Sequence, residues 1–214
     1  MFILLIIAIN ILVSWKGFRD PAFFSKYDFR VGRIRAGEQY RMITSAFLHV
    51  DMSHLLFNML TFYFFAPKLL VGTFLFQGFS LGVIYFGSLI IGNLASLLYH
   101  RNEPQYTAVG ASGAVVGVLY AAILLHPDMS IMLFFIPIPI PGTVFGLLYL
   151  LFSMYGMKAR RDNIGHMAHF GGALGGYFII LMLYPGLVFQ NLVTVGVLLI
   201  PILLLFIMIR LGKL

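Results

Sequence analysis

The chain has 214 residues, with 14 lysines and arginines against 7 acidic residues, a formal charge of +7 and no cysteine. Hydrophobic residues make up 61% of it and charged residues 10%, at a mean hydropathy of +0.98, whereas a soluble domain carries about 25% charged residues. A water-soluble globule of this size needs a polar shell that this composition lacks, so an integral, multi-pass membrane protein is expected. The absent cysteines exclude a disulfide framework, a Cys-ligated metal and thiol catalysis. The positive charge then reads as loops meeting anionic headgroups of the lipid bilayer, and no nucleic-acid partner is expected.

Crossing about 30 Å of hydrocarbon takes about 20 apolar residues at 1.5 Å each. Seven stretches are candidates in chain order: Met1–Trp15, Met52–Val71, Phe79–Tyr99, Ala111–Leu125, Thr143–Met157, His166–Tyr184 and Leu192–Ile209. The first lacks the basic start and the small-residue cleavage site of a signal peptide and is kept as a helix. The fourth and fifth are short, which suits interior helices screened from lipid. Between the first two lies Lys16–Asp51, where Lys26, Arg30, Arg33, Arg35 and Arg41 alternate with Phe18, Phe23, Phe24, Tyr27, Phe29 and Tyr40, as in a segment immersed among headgroups. Arg41 reads as an interfacial anchor, with a bond that fixes the loop as the alternative. The run Pro137, Pro139, Pro141, Gly142 cannot continue a helix and predicts a turn between the fourth and fifth spans.

Polar side chains inside spans are costly and mark functional sites by default. They gather at the starts of three even-numbered spans: His54 and Asn58, Gly110-Ala-Ser112-Gly113, and Gly165-His166-Met-Ala-His169-Phe-Gly-Gly172. Spans two crossings apart run the same way through the bilayer, so these three clusters share one side. His169 follows Arg161 by eight residues, which puts it roughly 12 Å below that loop. Gly113-x-x-x-Gly117 and Gly172-x-x-x-Gly176 each lay a groove along a helix, and packing the two grooves together brings Ser112 beside His169. A neutral imidazole there can take the hydroxyl proton and return it to a leaving amine. The oxyanion would meet N–H groups at the start of the fourth span, the Asn58 amide and possible donation by His54. Asp162 falls in a loop and Asp128 on the opposite side, so the pattern is a Ser/His dyad without a carboxylate.

These residues resemble the rhomboid intramembrane serine proteases. The resemblance rests on Gly-x-Ser-Gly at Gly110–Gly113, His-x-x-x-Asn at His54–Asn58, and Ala-His-x-x-Gly-x-x-x-Gly at Ala168, His169, Gly172 and Gly176, in the family's order. It covers roughly residues 1 to 185. Tyr40-Arg41 stands where the family commonly has Trp-Arg. The resemblance implies an all-α polytopic fold, a six-helix core over 1–185 with the interfacial loop at about 16–51, and a further transmembrane helix in 186–214. It implies an endopeptidase that cleaves in or next to transmembrane segments of membrane-protein substrates. Ser112 would be the nucleophile, His169 the base, His54 and Asn58 the oxyanion-stabilising pair beside Gly110 and Gly113, and His49 a structural histidine. It implies no cofactor and a bacterial inner (cell) membrane location. Val116, one turn after Ser112, replaces an aromatic ring that many relatives stack on the catalytic imidazole.

Other readings compete. His49, His54, His166 and His169 could gather around a metal, but no His-Glu-x-x-His motif and no acidic residue within those spans completes a site. His49 and His166 otherwise read as structural or exposed. A noncatalytic relative that binds or escorts transmembrane helices is the alternative function. For orientation, 13 of the 14 cations fall on the side of the three clusters, Lys68 being the exception. The positive-inside rule makes that side cytoplasmic, whereas the resemblance turns the active-site side away from the cytoplasm.

Overall fold

The computed structural model describes residues 1–71, 74–133, 136–159 and 164–212. A helix occupies each of the seven apolar stretches. The first is α1 (Phe2–Arg19), which ends where Asp20 caps the short α2 (Pro21–Tyr27) by accepting from the Phe23 N–H at 2.9 Å. The segment between the first two apolar helices continues through β1 (Phe29–Arg30), α3 (Val31–Arg35), α4 (Arg41–Thr44) and a 3-10 turn at Ser45–Phe47. Asp51 then caps α5 (Met52–Phe65), accepting from the His54 N–H at 2.7 Å. After α6 (Phe74–Tyr99), the strand β2 (Thr107–Ala108) pairs antiparallel with β1, which pulls the loop before α7 (Ser112–Leu125) onto the interfacial segment.

The strands β3 (Ser130–Leu133) and β4 (Ile136–Pro141) lead into α8 (Gly142–Ala159), followed by α9 (His166–Leu183), α10 (Leu187–Gln190) and α11 (Leu192–Arg210). Among the described residues, Phe2–Arg19, Phe76–Tyr99, His166–Leu183 and Leu192–Arg210 are long and apolar enough to cross a bilayer. The protein is an integral membrane protein.

The centre of the bundle is α7. Every residue from Gly113 to Leu124 is buried, which a helix apolar on all sides requires. It is enclosed by α5, α6, α8 and α9, and the most extensive packing joins α6, α7 and α9. Glycines make this possible: a methyl group at Gly172 would run into the Gly113 backbone, and one at Gly176 into that of Gly117. The expected groove-to-groove contact of the fourth and sixth stretches is therefore present. Outside this core, α1 packs on α5, while α8 lies between α9 and α11. The last helix is tied back by the Tyr177 hydroxyl, which donates to the Val195 carbonyl at 3.0 Å, and by the Asn191 amide, which donates to that of Leu124 at 2.8 Å.

Two expectations are corrected. The fold is mostly helical rather than all-α, because two small two-stranded sheets flank the bundle. The run Pro137, Pro139, Pro141 is not a turn but part of β4, paired with β3. Prolines at alternate positions lack N–H groups along one edge only, leaving every second residue free to donate across the ladder. Of the loop and terminal charges used in the sequence argument, Arg160, Arg161, Asp162 and Lys213 lie outside the described residues.

In the interfacial segment, Arg41 takes the loop-fixing role. It is 5% exposed, and its Nη1 donates to Asp28 Oδ1 at 2.6 Å and to the Asp28 and Ser25 carbonyls at 2.9 and 3.0 Å. Its Nε donates to Glu38 at 2.6 Å, which holds the Glu38 carboxyl below the usual range. Lys16 over Phe23 and Arg19 over Trp15, each 4.4 Å from the ring centre, give the outer face its cation and ring character.

Candidate active site

Ser112 opens α7, and the turn before it needs glycine. Gly110 has φ of +124°, and its N–H donates to the Ser45 carbonyl at 3.0 Å. A Cβ there would also lie 2.7 and 2.8 Å from the His54 ring and 3.8 Å from the Asn58 amide nitrogen. The two α5 side chains thus face the backbone two residues before Ser112. Asn58 is buried, and its amide donates to the His54 carbonyl at 3.2 Å.

His169 lies in the first turn of α9. A Cβ on Gly113 would sit 3.1 Å from the Ala168 carbonyl oxygen, so the two helices approach closely beside both side chains. His169 Nε2 is 2.6 Å from Ser112 Oγ. The structure brings together Ser112, His169, His54, Asn58, Gly110 and Gly113, all six residues picked out in the sequence.

His49 lies just outside. The Ala111 N–H donates to its Nε2 at 3.4 Å, so Nδ1 carries the proton and donates to Ser14 Oγ at 2.8 Å, and the Ser14 hydroxyl donates to the Phe47 carbonyl at 2.9 Å. Burial, with His54 beside it, pushes His49 down to about 3 and keeps it neutral. It ties α1 to the residue before Ser112. His166 is buried rather than exposed, its ring seated against Gly156 with its centre 6.5 Å from that of His169.

Tyr149, which no motif in the sequence singles out, also reaches the site. Its hydroxyl is 2.9 Å from His169 Nδ1, and the two rings stack with centres 6.1 Å apart and planes 27° apart. Val116 offers no ring from α7, and the aromatic neighbour of His169 comes from α8 instead. One signal was available. Gly142, Gly146, Ser153 and Gly156 form a small-residue stripe on α8 at spacings of four, seven and three, and Tyr149 falls within it.

An alcohol bonded to an imidazole, beside a helix N-terminus and a carboxamide, is equipped for acyl transfer. A family model describing the rhomboid domain matches residues 36–186. The chain belongs to the rhomboid family. Rhomboid relatives include RHOMBOID-like protein 12, mitochondrial, of Arabidopsis thaliana, 27% identical over 77% of this chain and 52% of its own length. Rhomboid protease GluP of Bacillus subtilis (strain 168) is 31% identical over 68% of this chain and 26% of its own length. A shorter match, 32% identical over 40% of this chain and 24% of the relative, is to Inactive RHOMBOID-like protein 8 of Arabidopsis thaliana. The chain therefore spans about half the length of the first of these rhomboid relatives and about a quarter of the other two.

Proposed function

We propose that this chain is an intramembrane serine endopeptidase that cleaves peptide bonds in or next to transmembrane segments of membrane-protein substrates by a Ser112/His169 dyad. The observation that carries this reading is the 2.6 Å approach of Ser112 Oγ to His169 Nε2. A serine hydroxyl is a poor nucleophile alone. With Nε2 accepting its proton, Oγ attacks the carbonyl carbon and a tetrahedral oxyanion forms. The N–H groups in the first turn of α7 have no acceptor within the helix and meet that oxyanion, together with the Asn58 amide and with His54 as a donor across Gly110. Collapse breaks the C–N bond as His169 passes its proton to the leaving amine. Water then attacks the acyl carbonyl as it gives a proton to His169, and collapse of this second tetrahedral intermediate breaks the bond between the acyl carbon and Ser112 Oγ while His169 returns the proton to Oγ and the carboxyl product leaves. No cofactor enters this sequence.

A substrate helix has its carbonyls bonded internally, so it must unwind before attack, and helix-destabilising residues near the cleavage site should favour it. We take all seven apolar helices as crossings, with residues 1–185 as the catalytic core and 186–214 as an added helix. The bacterial cell membrane is the expected location, with the active-site side away from the cytoplasm. A reporter fused to the C-terminus tests that orientation.

The function is tested by co-reconstituting the protein in vesicles with a panel of single-pass transmembrane reporters. Cleavage that is lost in Ser112→Ala and in His169→Ala, with both variants folded, is expected. Cleavage that persists in Ser112→Ala contradicts the assignment, and no cleavage or probe reaction by the folded protein points to a noncatalytic helix-binding role.

A further inference from the structure

In a serine-type site the far side of the imidazole matters as much as the side facing the nucleophile. One neutral tautomer accepts the serine proton and the other cannot. The far nitrogen here, His169 Nδ1, lies 2.9 Å from the Tyr149 hydroxyl oxygen, while Nε2 lies 2.6 Å from Ser112 Oγ. We propose that Tyr149, carried by α8, is a positioning residue that holds His169 in the productive tautomer, at the place a carboxylate fills in a three-residue serine site. This inference rests on the dyad reading above.

A neutral imidazole has a single N–H. If the Tyr149 hydroxyl donated to Nδ1, the ring proton would sit on Nε2 and point at Ser112, leaving no lone pair for the serine proton. With Nδ1–H donating to the phenol oxygen, Nε2 presents its lone pair to the Ser112 O–H. A phenol can accept on oxygen while its own proton turns elsewhere. Once the serine proton has moved to Nε2, the same oxygen still accepts from Nδ1–H of the imidazolium.

Three further features hold Tyr149 in place. Phe145 stacks on its outer face with ring centres 6.0 Å apart. Gly156 admits the His166 ring, and Gly146 lies close to Tyr120 and Ile123 of α7, so α8 approaches both α7 and α9 closely enough for a tyrosine to reach the imidazole. The Tyr149 and His169 rings lie near-parallel, 27° apart with centres at 6.1 Å, and meet at the phenol oxygen. A neutral phenol stabilises an imidazolium less than a carboxylate does, so removing it should cost far less than the loss of about 10⁴ seen when a triad carboxylate is replaced by an amide.

The test uses the purified full chain in detergent and two readouts. With a fluorophosphonate probe, Tyr149→Phe should lower the maximal labelling rate of Ser112 about tenfold while leaving the half-saturating probe concentration within about twofold. Site-resolved ¹⁵N NMR of histidine-labelled protein should find wild-type His169 protonated at Nδ1 and the variant a mixture of tautomers. An unchanged labelling rate in folded Tyr149→Phe overturns the proposal, and so does a wild-type His169 protonated at Nε2, a readout that does not depend on whether the variant folds. A wild-type protein that never labels overturns the dyad reading itself, and labelling at equal rates in wild type and Tyr149→Phe overturns only the role of Tyr149.

Discussion

The packing of α9 on α7 and its packing on α8 use opposite materials. Against α7 the contact is backbone to backbone, with Gly172 on Gly113 and Gly176 on Gly117 and no room for a methyl group. Against α8 the contact is made by rings: Tyr149 on His169, and His166 seated at Gly156. The first fixes how far apart Ser112 and His169 lie, since a backbone seam has no rotamers to relax. The second fixes which way the imidazole points, since it consists of side chains that can rotate. Distance is thus set by packing of the main chain, and orientation by a single hydrogen-bonded ring.

The glycine seam can be broken outright. Gly172→Leu should abolish recovery of folded protein, seen as loss of the monodisperse peak in size-exclusion chromatography in detergent. Gly196→Leu, where a Cβ meets nothing within 4 Å, should leave the peak and melting temperature almost unchanged. Equal tolerance at both positions would refute the close approach.

The interfacial segment offers a third kind of contact, a buried ion pair. Arg41→Ala takes one of two guanidinium partners from Asp28, whose side chain is 5% exposed and keeps Arg30 at 2.9 Å, and removes the donor to the Ser25 and Asp28 carbonyls, so it should lower unfolding stability by about 2 kcal/mol, read from denaturant titration. A loss below about 0.5 kcal/mol, the size of a surface change, would mean that the guanidinium is only a headgroup anchor.

Within the site, Asn58→Ala should leave the fold intact and lower the cleavage rate about 100-fold, as removal of one oxyanion donor does. A change in the half-saturating substrate concentration with an unchanged rate would assign Asn58 to binding instead.

The effect of pH is mild near neutrality and grows as the pH falls. His49 is neutral when folded, pushed from 6.5 to about 3, so the unfolded chain binds a proton that the folded chain does not. Stability should be complete above pH 6.5 and should fall steadily as the pH drops toward 3. His49→Gln should flatten that slope in melting temperatures taken across the range. A slope unchanged in His49→Gln would remove His49 from the account.

Much of this was legible in the sequence because the bilayer imposes strict rules. Hydropathy marks all seven helices, and small residues at four-residue spacing mark the α7–α9 seam. Ser112, His169, His54 and Asn58 stood out because each is a polar group in a costly place. The β3–β4 hairpin did not, because prolines forbid helix equally in a turn and on a strand edge. Tyr149 did not, because it is one aromatic among Phe145, Phe152 and Tyr155 on α8 and its hydroxyl carries no sequence signature. The choice between an interfacial and a buried Arg41 depended on Asp28 folding back thirteen residues, a tertiary contact that periodicity does not encode.

Mapping the site of covalent modification tests the Ser112/His169 chemistry most directly. After reaction of the purified protein with a fluorophosphonate, tandem mass spectrometry should find a single adduct, on Ser112, and none in folded His169→Ala. An adduct on another residue, or one on Ser112 that forms at the same rate without His169, would contradict it.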